Sequence, residues 1–454
     1  MLTMSKYVAL KSLFYSLPPI VQRNIGWRLK AIQFPLNRLK HRQYSNVYDS
    51  LNSIDKRDWI FGRVKEITFY AQNNNNFYRE FYKKKGFDAR SLHSYEDLNK
   101  IPIVTKEILR NAGEKWNPRS SKGSHGNTGG TSGNPLGFSF DKEQMVKEHL
   151  FIDKVWGRLK CSHRNTRLMF RGLSHLGKKA WHYHPASDAF LINTYLPFGE
   201  MKADLLRLFA KEKIEFLHGY PSAIYQFAKF SLLAVNEDLR VAVRRNIRGV
   251  LYGSEYPAPL YRNTVFEAFN VPSISWYGHS EMVLLAAEQE KHYEYYPYQA
   301  YGWCEAVGMA DVRTHLVGTN YENRLSPFIR YDTGDVIEPV SIVDGILESF
   351  RIQEGRLGEF IFDANNHPVS LTALIFGRHH NVFETADFIQ ISQDKPGKAT
   401  LYVTSLNADY SLAADSFDFT NVNISFNVKF RDNPYKTNLG KIPLLIPPGL
   451  SSFD

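Results

Sequence analysis

At 454 residues the chain exceeds what one hydrophobic core usually supports, so two or more packed units are expected. Its 43% hydrophobic and 22% charged residues exclude a disordered or fibrous chain. The two cysteines, Cys161 and Cys304, lie far apart with no Cys-x-x-Cys or Cys/His cluster, which excludes a disulfide framework and a zinc knuckle and fits a reducing, cytoplasmic setting.

The N-terminal stretch Tyr7 to Val21 is broken by Lys11 and Pro18-Pro19. No apolar run approaches the about 20 residues of a membrane span, so neither a signal peptide nor an anchor is expected. The net charge of +10 is partly gathered in Gln22 to Gln43, where Arg23, Arg28, Lys30, Arg38, Lys40, His41 and Arg42 alternate with Ile, Trp, Leu and Phe. This segment reads either as a solvated helical face or as a peripheral contact for a membrane surface. A nucleic-acid partner is not expected, because no binding motif accompanies the charge.

Trp59 to Phe81 and Tyr95 to Ile101 carry apolar residues at helical spacing, and Asn73 to Asn76 make a polar break. From Ser121 the text becomes a Gly/Ser/Thr-rich loop. Alternation follows, with predicted strands at Arg167 to Arg171, Ile214 to His218, Gly249 to Tyr252 and Ser273 to Trp276. The predicted helices are Ala203 to Glu212, Ser222 to Val235 and Pro257 to Phe269. That order predicts an α/β fold of βα units around mainly parallel sheet, with ligands at the carboxyl ends of the strands. Turn residues crowd Arg330 to Val340. Beyond Gly358 come short strands at Glu359 to Phe362, Thr400 to Thr404 and Ile424 to Phe430. A boundary near Arg351 to Arg356 divides a large N-terminal domain, residues 1–354, from a small α+β domain, residues 355–454.

The strongest local signal is Gly126-Asn127-Thr128-Gly129-Gly130-Thr131-Ser132-Gly133-Asn134-Pro135-Leu136. Its glycines let backbone amides approach an anion, and Thr128, Thr131 and Ser132 add hydroxyl donors, a combination suited to a polyphosphate. It is not a Walker A loop, since no Lys-Ser or Lys-Thr follows the glycines. Alone, it reads equally well as a solvent loop. Tyr277-Gly278-His279-Ser280-Glu281 follows a predicted strand, and Pro327-Phe328-Ile329 leads into Arg330-Tyr331-Asp332-Thr333-Gly334-Asp335.

These three blocks, in this order, resemble the adenylate-forming superfamily of acyl-CoA synthetases, adenylation domains and luciferases. The resemblance extends to Gly355-Arg356-Leu357-Gly358-Glu359, which is similar to the family's hinge, and to Asn438-Leu439-Gly440-Lys441-Ile442, which is similar to its catalytic-lysine motif. The most similar branch is that of phenylacetate CoA ligase-like proteins, in particular the CapK-like group tied to capsular or surface polysaccharide synthesis. His218-Gly219-Tyr220-Pro221-Ser222, Gly253-Ser254-Glu255 and Gly318-Thr319-Asn320 carry that finer likeness.

The resemblance implies an ATP- and magnesium-dependent ligase with a large domain and a small mobile lid. It would convert a small carboxylic acid to its acyl-AMP and pass the acyl group to coenzyme A or the pantetheine of an acyl carrier protein. Direct transfer to a sugar amine or hydroxyl, or a non-catalytic nucleotide-binding protein retaining the fold, stay open. It further implies that Thr128, Gly129, Gly130, Thr131, Ser132 and Gly133 hold phosphates, with Gly253, Ser254 and Glu255 also contacting the nucleotide. Tyr277 would stack on adenine within a block completed by Gly278, His279 and Ser280. Glu281 takes the metal, Asp335 and Arg356 hold the ribose, and Lys441 is the mobile catalytic cation. Tyr220, Ala223, Ile224, Tyr252 and Trp276 are expected around the acid. His279 is either a group near the acid carboxylate or a packed histidine. A Gly at 358, where the family often carries Asp or Lys, departs from the hinge pattern.

Overall fold

The structure, a computed structural model, describes residues 17, 21 and 43, and 45–446 apart from 119–122, 129–135, 163, 172–177, 185–186, 310–312, 354–359, 372–373, 376–379, 381, 383–385, 387, 405–416 and 436–443. A helical stretch at 45–50 is followed by two helices, α1, Ser53–Asn74, and α2, Asn76–Lys85. The polar break between them is Asn75, whose side chain accepts from Tyr78 N at 3.3 Å and donates to the Trp116 carbonyl at 2.8 Å. A residue that favours caps over helix interiors thus ends one helix, starts the next and ties both to the core. Two short strands, β1 at Val104–Thr105 and β2 at Ser124–Asn127, precede β3 at Gly137–Phe140 and the helix α3, Lys142–Gly157.

The predicted βα alternation is present: β4 Arg167–Arg171, β5 Trp181–His184, β6 Ala189–Asn193, α4 Phe198–Lys211, β7 Phe216–Gly219, α5 Pro221–Leu232, α6 Glu237–Asn246, β8 Gly249–Tyr252, α7 Pro259–Phe269 and β9 Ser273–Gly278. Strands β6, β4, β7, β8 and β9 lie side by side and parallel. Apolar residues on successive positions of β7 and β8 serve two covers, as expected of a strand buried on both faces. Leu217, Val250 and Tyr252 pack on α5 and α7. Phe216, Leu251, Ile274 and Trp276 pack with Phe151, Ile152 and Val155 of α3.

The sheet then continues antiparallel through β10 Leu285–Glu288, β11 Tyr295–Pro297, β15 Ile346–Ile352, β14 Tyr331–Val343, β13 Thr314–Asn320 and β12 Gly302–Gly308. Here the turn-rich reading of Arg330 to Val340 gives way. Most of that stretch is strand, because β13 on one side and β15 on the other supply partners for its backbone groups. The turn chemistry survives locally, in Gly334 at φ +77 and in an Asp332 side chain that accepts from Gly334 N at 2.8 Å.

From β16, Phe360–Phe362, onward the chain forms a separate hydrophobic cluster around Ile389, Ile391, Leu401 and Val403. It contains a pair of strands, β16 with β17 at Pro368–Ser370. It also contains a three-stranded sheet of β18 Phe388–Lys395, β19 Lys398–Thr404 and β20 Ser425–Arg431. Among the described residues no helix is long and apolar enough to cross a membrane. The basic stretch 22–42 lies outside the described residues.

Arg330 anchors β14. Its guanidinium donates to the Glu305 carboxylate of β12 at 2.7 and 3.0 Å, and to the carbonyls of Asn99 and Ile101 at 2.7 and 2.9 Å. Both charges are buried, at 5% and 7% exposure. Burial pushes the Glu305 carboxyl above its usual range, while Arg330 pulls it back. Removing one partner of such a pair strands the other charge. Arg330→Ala should therefore destabilise the fold by about 3–5 kcal/mol, read as a lower thermal midpoint and a lower denaturant midpoint; unchanged midpoints would show that the pair does not hold β14.

Candidate active site

Strand β9 delivers two consecutive aromatic residues to opposite faces of the sheet. Tyr277 packs against Phe350 of β15 at 5.9 Å between ring centroids, and its hydroxyl donates to Asp335 of β14. Burial, reinforced by that carboxylate, pushes the Tyr277 phenol well above its usual pKa, so it stays a proton donor. Asp335 is fixed from its own side too: its N–H donates to Thr333 Oγ1 at 3.2 Å, and the Thr333 hydroxyl donates to the Leu316 carbonyl at 2.8 Å.

After Gly278 the chain leaves the sheet through a turn in which Met282 N donates to the His279 carbonyl at 3.0 Å and Met282 adopts φ +53. This turn buries Glu281. One of its oxygens accepts from the Tyr331 hydroxyl at 3.2 Å, and the other lies 3.6 Å from His279 Nδ1. Burial and the Glu281 charge push the Tyr331 phenol well above its usual range. His279 stands edge-on between Tyr277 and Tyr331, at centroid distances of 6.1 and 6.5 Å. Both of its ring nitrogens are buried without a hydrogen-bond partner. Glu281, Asp335, Tyr277, Tyr331 and His279 thus form one polar group at the end of β9. A buried polar atom without a partner is expensive, and a catalytic role or a bound water or ion is among the reasons to keep one.

Thr128 lies at the base of the glycine-rich loop. Its hydroxyl accepts from Leu136 N at 2.8 Å, and its own N–H donates to the Leu136 carbonyl at 3.0 Å. The two residues close the loop neck above the β2–β3 hairpin; Gly129, Gly130, Thr131, Ser132 and Gly133 lie outside the described residues, as do Arg356 and Lys441.

Gly253 and Glu255 have clear packing duties. A Cβ on Gly253 would meet the Trp276 ring at 2.5 Å. Glu255 accepts from Ser222 N at 3.1 Å at the start of α5, where its charge also faces the positive helix end. Ser254, between them, takes φ +71, and Ser280 is exposed.

The residues expected around the acid separate onto two faces. Tyr220, Ala223, Ile224 and Tyr252 belong to the core beneath α5, whereas Trp276 lies on the α3 side. On that side His218 and Trp156 complete a cluster that the sequence does not single out by role: centroids lie 5.1 Å apart for Trp156 and His218, 5.8 Å for His218 and Trp276, and 6.3 Å for Trp156 and Trp276. Tyr331 was legible only as part of its motif. Its contact with Glu281 spans 50 positions, beyond any local pattern.

Among the described residues no group of three or more His, Cys, Asp or Glu is arranged to hold a metal. Magnesium does not require one, because it keeps several waters and takes phosphate oxygens with one or two carboxylates. Glu281 fits that limited role.

No family model matches the chain, and no curated protein does so. Solved structures do match. One is 2-hydroxyisobutyryl-CoA ligase in complex with 2-HIB-AMP and CoA in the thioesterification state, at 16% identity, 87% of this chain, 90% of that chain and a TM-score of 0.54. An open conformation of the same ligase with 2-HIB-AMP and CoA matches at 16% identity over 87% and 92% of the two chains, with a TM-score of 0.53. Its postadenylation state with R3-HIB-AMP matches at 16% over 87% and 90%, with a TM-score of 0.52. The chain therefore has the fold of the adenylate-forming CoA ligases, an α/β fold with a large mixed sheet.

Asp335 and Tyr277 divide the roles expected of a nucleotide site in a testable way. Asp335→Ala removes a charged acceptor and should weaken ATP binding by about 1.5–3 kcal/mol, roughly 10- to 150-fold in Kd by calorimetry. Tyr277→Phe removes only the internal donor and should change the Kd far less. Equal ATP affinity in folded Asp335→Ala would assign that carboxylate to the turn alone.

Proposed function

We propose that the protein is an ATP-dependent, adenylate-forming ligase of the phenylacetate CoA ligase-like type, most similar to the CapK-like group, acting in the cytoplasm. A carboxylate oxygen of a small acid attacks the α-phosphorus of ATP, the bond to the β-phosphate oxygen breaks, and pyrophosphate leaves. The thiol sulfur of coenzyme A or of a carrier-protein pantetheine then takes the acyl group, and AMP departs. Surface or capsular polysaccharide synthesis is the biological setting that the resemblance favours. The observation that carries the reading is the group at the end of β9: a buried carboxylate, Glu281, beside His279, whose ring nitrogens make no hydrogen bond, with a second carboxylate, Asp335, held by Tyr277.

Attack of one anion on another makes this reaction a matter of positioning and charge neutralisation. Asp335 accepts the ribose hydroxyls in exchange for the Tyr277 hydroxyl. Glu281 would hold magnesium or a magnesium-bound water, which would supply positive charge to offset that of the phosphates. The loop whose neck is closed by Thr128 and Leu136 supplies amide and hydroxyl donors from Gly129 to Gly133. Arg356 adds a ribose contact at the hinge, and Lys441 brings its ammonium to the carboxylate and α-phosphate when the small domain closes. That domain then turns about residues 355–358 to admit the thiol. Structural likeness to a ligase bound to both an acyl-AMP and CoA favours a thiol over a sugar amine or hydroxyl as acceptor.

A hydroxylamine-trapping screen of aromatic, fatty, amino and hydroxy acids with ATP and magnesium tests the first step without knowing the acceptor. Acid-dependent pyrophosphate and hydroxamate are expected, and their absence across the panel would end the ligase reading. Lys441→Ala should slow adenylation by about two powers of ten or more, equivalent to about 3 kcal/mol of transition-state stabilisation. Its ATP affinity should stay near wild type, because the large domain holds the nucleotide. A mutant that forms acyl-AMP at the wild-type rate would make residues 438–442 a surface turn.

A further inference from the structure

The turn that buries Glu281 is held from outside its own motif. Past Met282 the chain passes against β12 and β13, where two glycines leave room for it. A Cβ on Gly302 would strike the Val283 carbonyl, and one on Gly318 would meet the Val283 and Leu284 side chains at 2.9 and 2.7 Å. Asn320 lies opposite Gly302 in the β12–β13 register. Its side-chain amide donates to the Met282 carbonyl and to Gln144 Oε1 of α3, the second at 3.1 Å. Its carbonyl oxygen accepts from Glu322 N and Asn323 N, both at 2.9 Å. Both donor hydrogens and both lone pairs of the amide are engaged, and the residue is wholly buried.

The loop that Asn320 opens also grips the β2–β3 hairpin. Asn323 Nδ2 donates to the Ser139 carbonyl of β3 at 3.1 Å, Ser139 N donates to Ser326 Oγ at 2.8 Å, and that hydroxyl donates to Asn117 Oδ1 at 2.8 Å. Asn117 in turn donates to the Gly137 carbonyl at 3.2 Å, beside Leu136 of the hairpin neck. Asn320, Asn323, Ser326 and Ser139 are all buried. Residues 320–326 therefore form a polar bracket with one end on Met282, the residue after Glu281, and the other on β3. Buried polar groups whose bonds are made hold one arrangement, because a shift leaves a donor or acceptor unpaired.

Groups that share a metal ion must be spaced to a fraction of an ångström, since octahedral magnesium takes its oxygens at about 2.0–2.1 Å. Glu281 and the hairpin neck belong to motifs far apart in the chain, and neither motif fixes its distance from the other. The bracket joins them.

We infer that Asn320 is a positioning residue for the metal and nucleotide: with Gln144 and Asn323 it sets the Glu281 turn against the β2–β3 hairpin. It therefore governs how strongly a divalent ion and ATP bind together rather than how strongly ATP binds alone. The inference rests on the ligase reading in giving Glu281 the metal; it requires no acid and no turnover. The amide matters, not only its volume. Asn320→Asp keeps the size but brings a carboxylate oxygen to the Met282 carbonyl, acceptor against acceptor.

Calorimetry on the full chain tests this through two dissociation constants for ATP, one in EDTA and one with saturating magnesium, whose ratio is the coupling between ion and nucleotide. In the wild type magnesium should tighten ATP binding about 10-fold or more. Asn320→Asp should reduce that factor to about 3-fold or less, while its Kd in EDTA stays within about 3-fold of wild type. Glu281→Gln should remove the factor as well, and adding Asn320→Asp to it should change nothing further, because both act through one carboxylate. Gly318→Ala pushes on the same turn by sterics alone and should show the same split; it carries the comparison if Asn320→Asp does not fold. Gln299→Glu, at a buried amide that bonds instead to the Cys304 and Leu347 carbonyls, controls for lost stability and should keep the magnesium factor. The inference would be overturned by no magnesium factor in the wild type, by an unchanged factor in the folded Asn320 and Gly318 variants, or by an equal loss in Gln299→Glu. A further loss on the Glu281→Gln background, or ATP binding in EDTA that weakens as much as binding with magnesium, would overturn it too. A magnesium factor that depends on Asn320, with no pyrophosphate from any acid, would uphold it and instead overturn the ligase reading.

Discussion

The buried pair of Arg330 and Glu305 is the constraint on which the candidate site depends. In a medium of low polarizability a charge is tolerated only when its hydrogen-bonding capacity is filled. Arg330 meets that condition by reaching Glu305 on β12 and two carbonyls near the end of the helical N-terminal region. Its backbone is engaged as well: its N–H donates to Thr319 Oγ1 at 2.9 Å, and its carbonyl accepts from Val104 N at 3.1 Å. Arg330 itself sits at φ +44, a left-handed conformation that costs a side-chain-bearing residue roughly 1–2 kcal/mol. Saturated bonding on every side makes that conformation tolerable.

The consequences run directly into β14. With Arg330 fixed, Tyr331 lies opposite Gly318 and Asp332 opposite Val317, and the register shifts before His315 meets Val336. That irregularity falls beside Thr333, Gly334 and Asp335, so the strand bends where it carries its carboxylate; bulges commonly re-aim a side chain in this way. Asp332 is held by His315 at 3.1 Å, which leaves Asp335 to face Tyr277. The Arg330–Glu305 pair thus fixes the start of the strand that carries both acids.

The other organising element is the two-sidedness of β9. In an extended chain, neighbouring residues point to opposite faces, so Tyr277 and Trp276 take part in different neighbourhoods although they are covalently adjacent. One neighbourhood is made of carboxylates and phenols; the other holds a neutral imidazole and two indoles. Gly253 keeps the second compact, because any larger residue would push into Trp276. Glu255, two residues on, secures the start of α5 through Ser222, so the turn after β8 positions both a wall and a helix.

The parallel half of the sheet was legible in the sequence because its evidence is local. Arg167 to Arg171, Gly249 to Tyr252 and Ser273 to Trp276 are short apolar runs bounded by helices of the right period, and Asn73 to Asn76 mark a helix junction by their side-chain chemistry. The blocks containing Tyr277, Glu281 and Asp335 were legible as motifs, and so was the prospect that they meet. What sequence alone misjudged were features whose cause lies far along the chain. Residues 331–340 look like turns because Asp, Thr and Gly dominate their text, yet β13 and β15 supply backbone partners that draw them into a strand. Tyr220, Ala223, Ile224 and Tyr252 pack beneath α5 while Trp276 packs on the α3 side, a division set by strand alternation and helix docking rather than by any local pattern. The sequence by itself determined which segments form the parallel layer and which polar residues are available. Only the tertiary structure decided that Tyr331 meets Glu281 and that Trp156 meets His218, because those contacts depend on strand register and helix docking, which bring together side chains that no local pattern links.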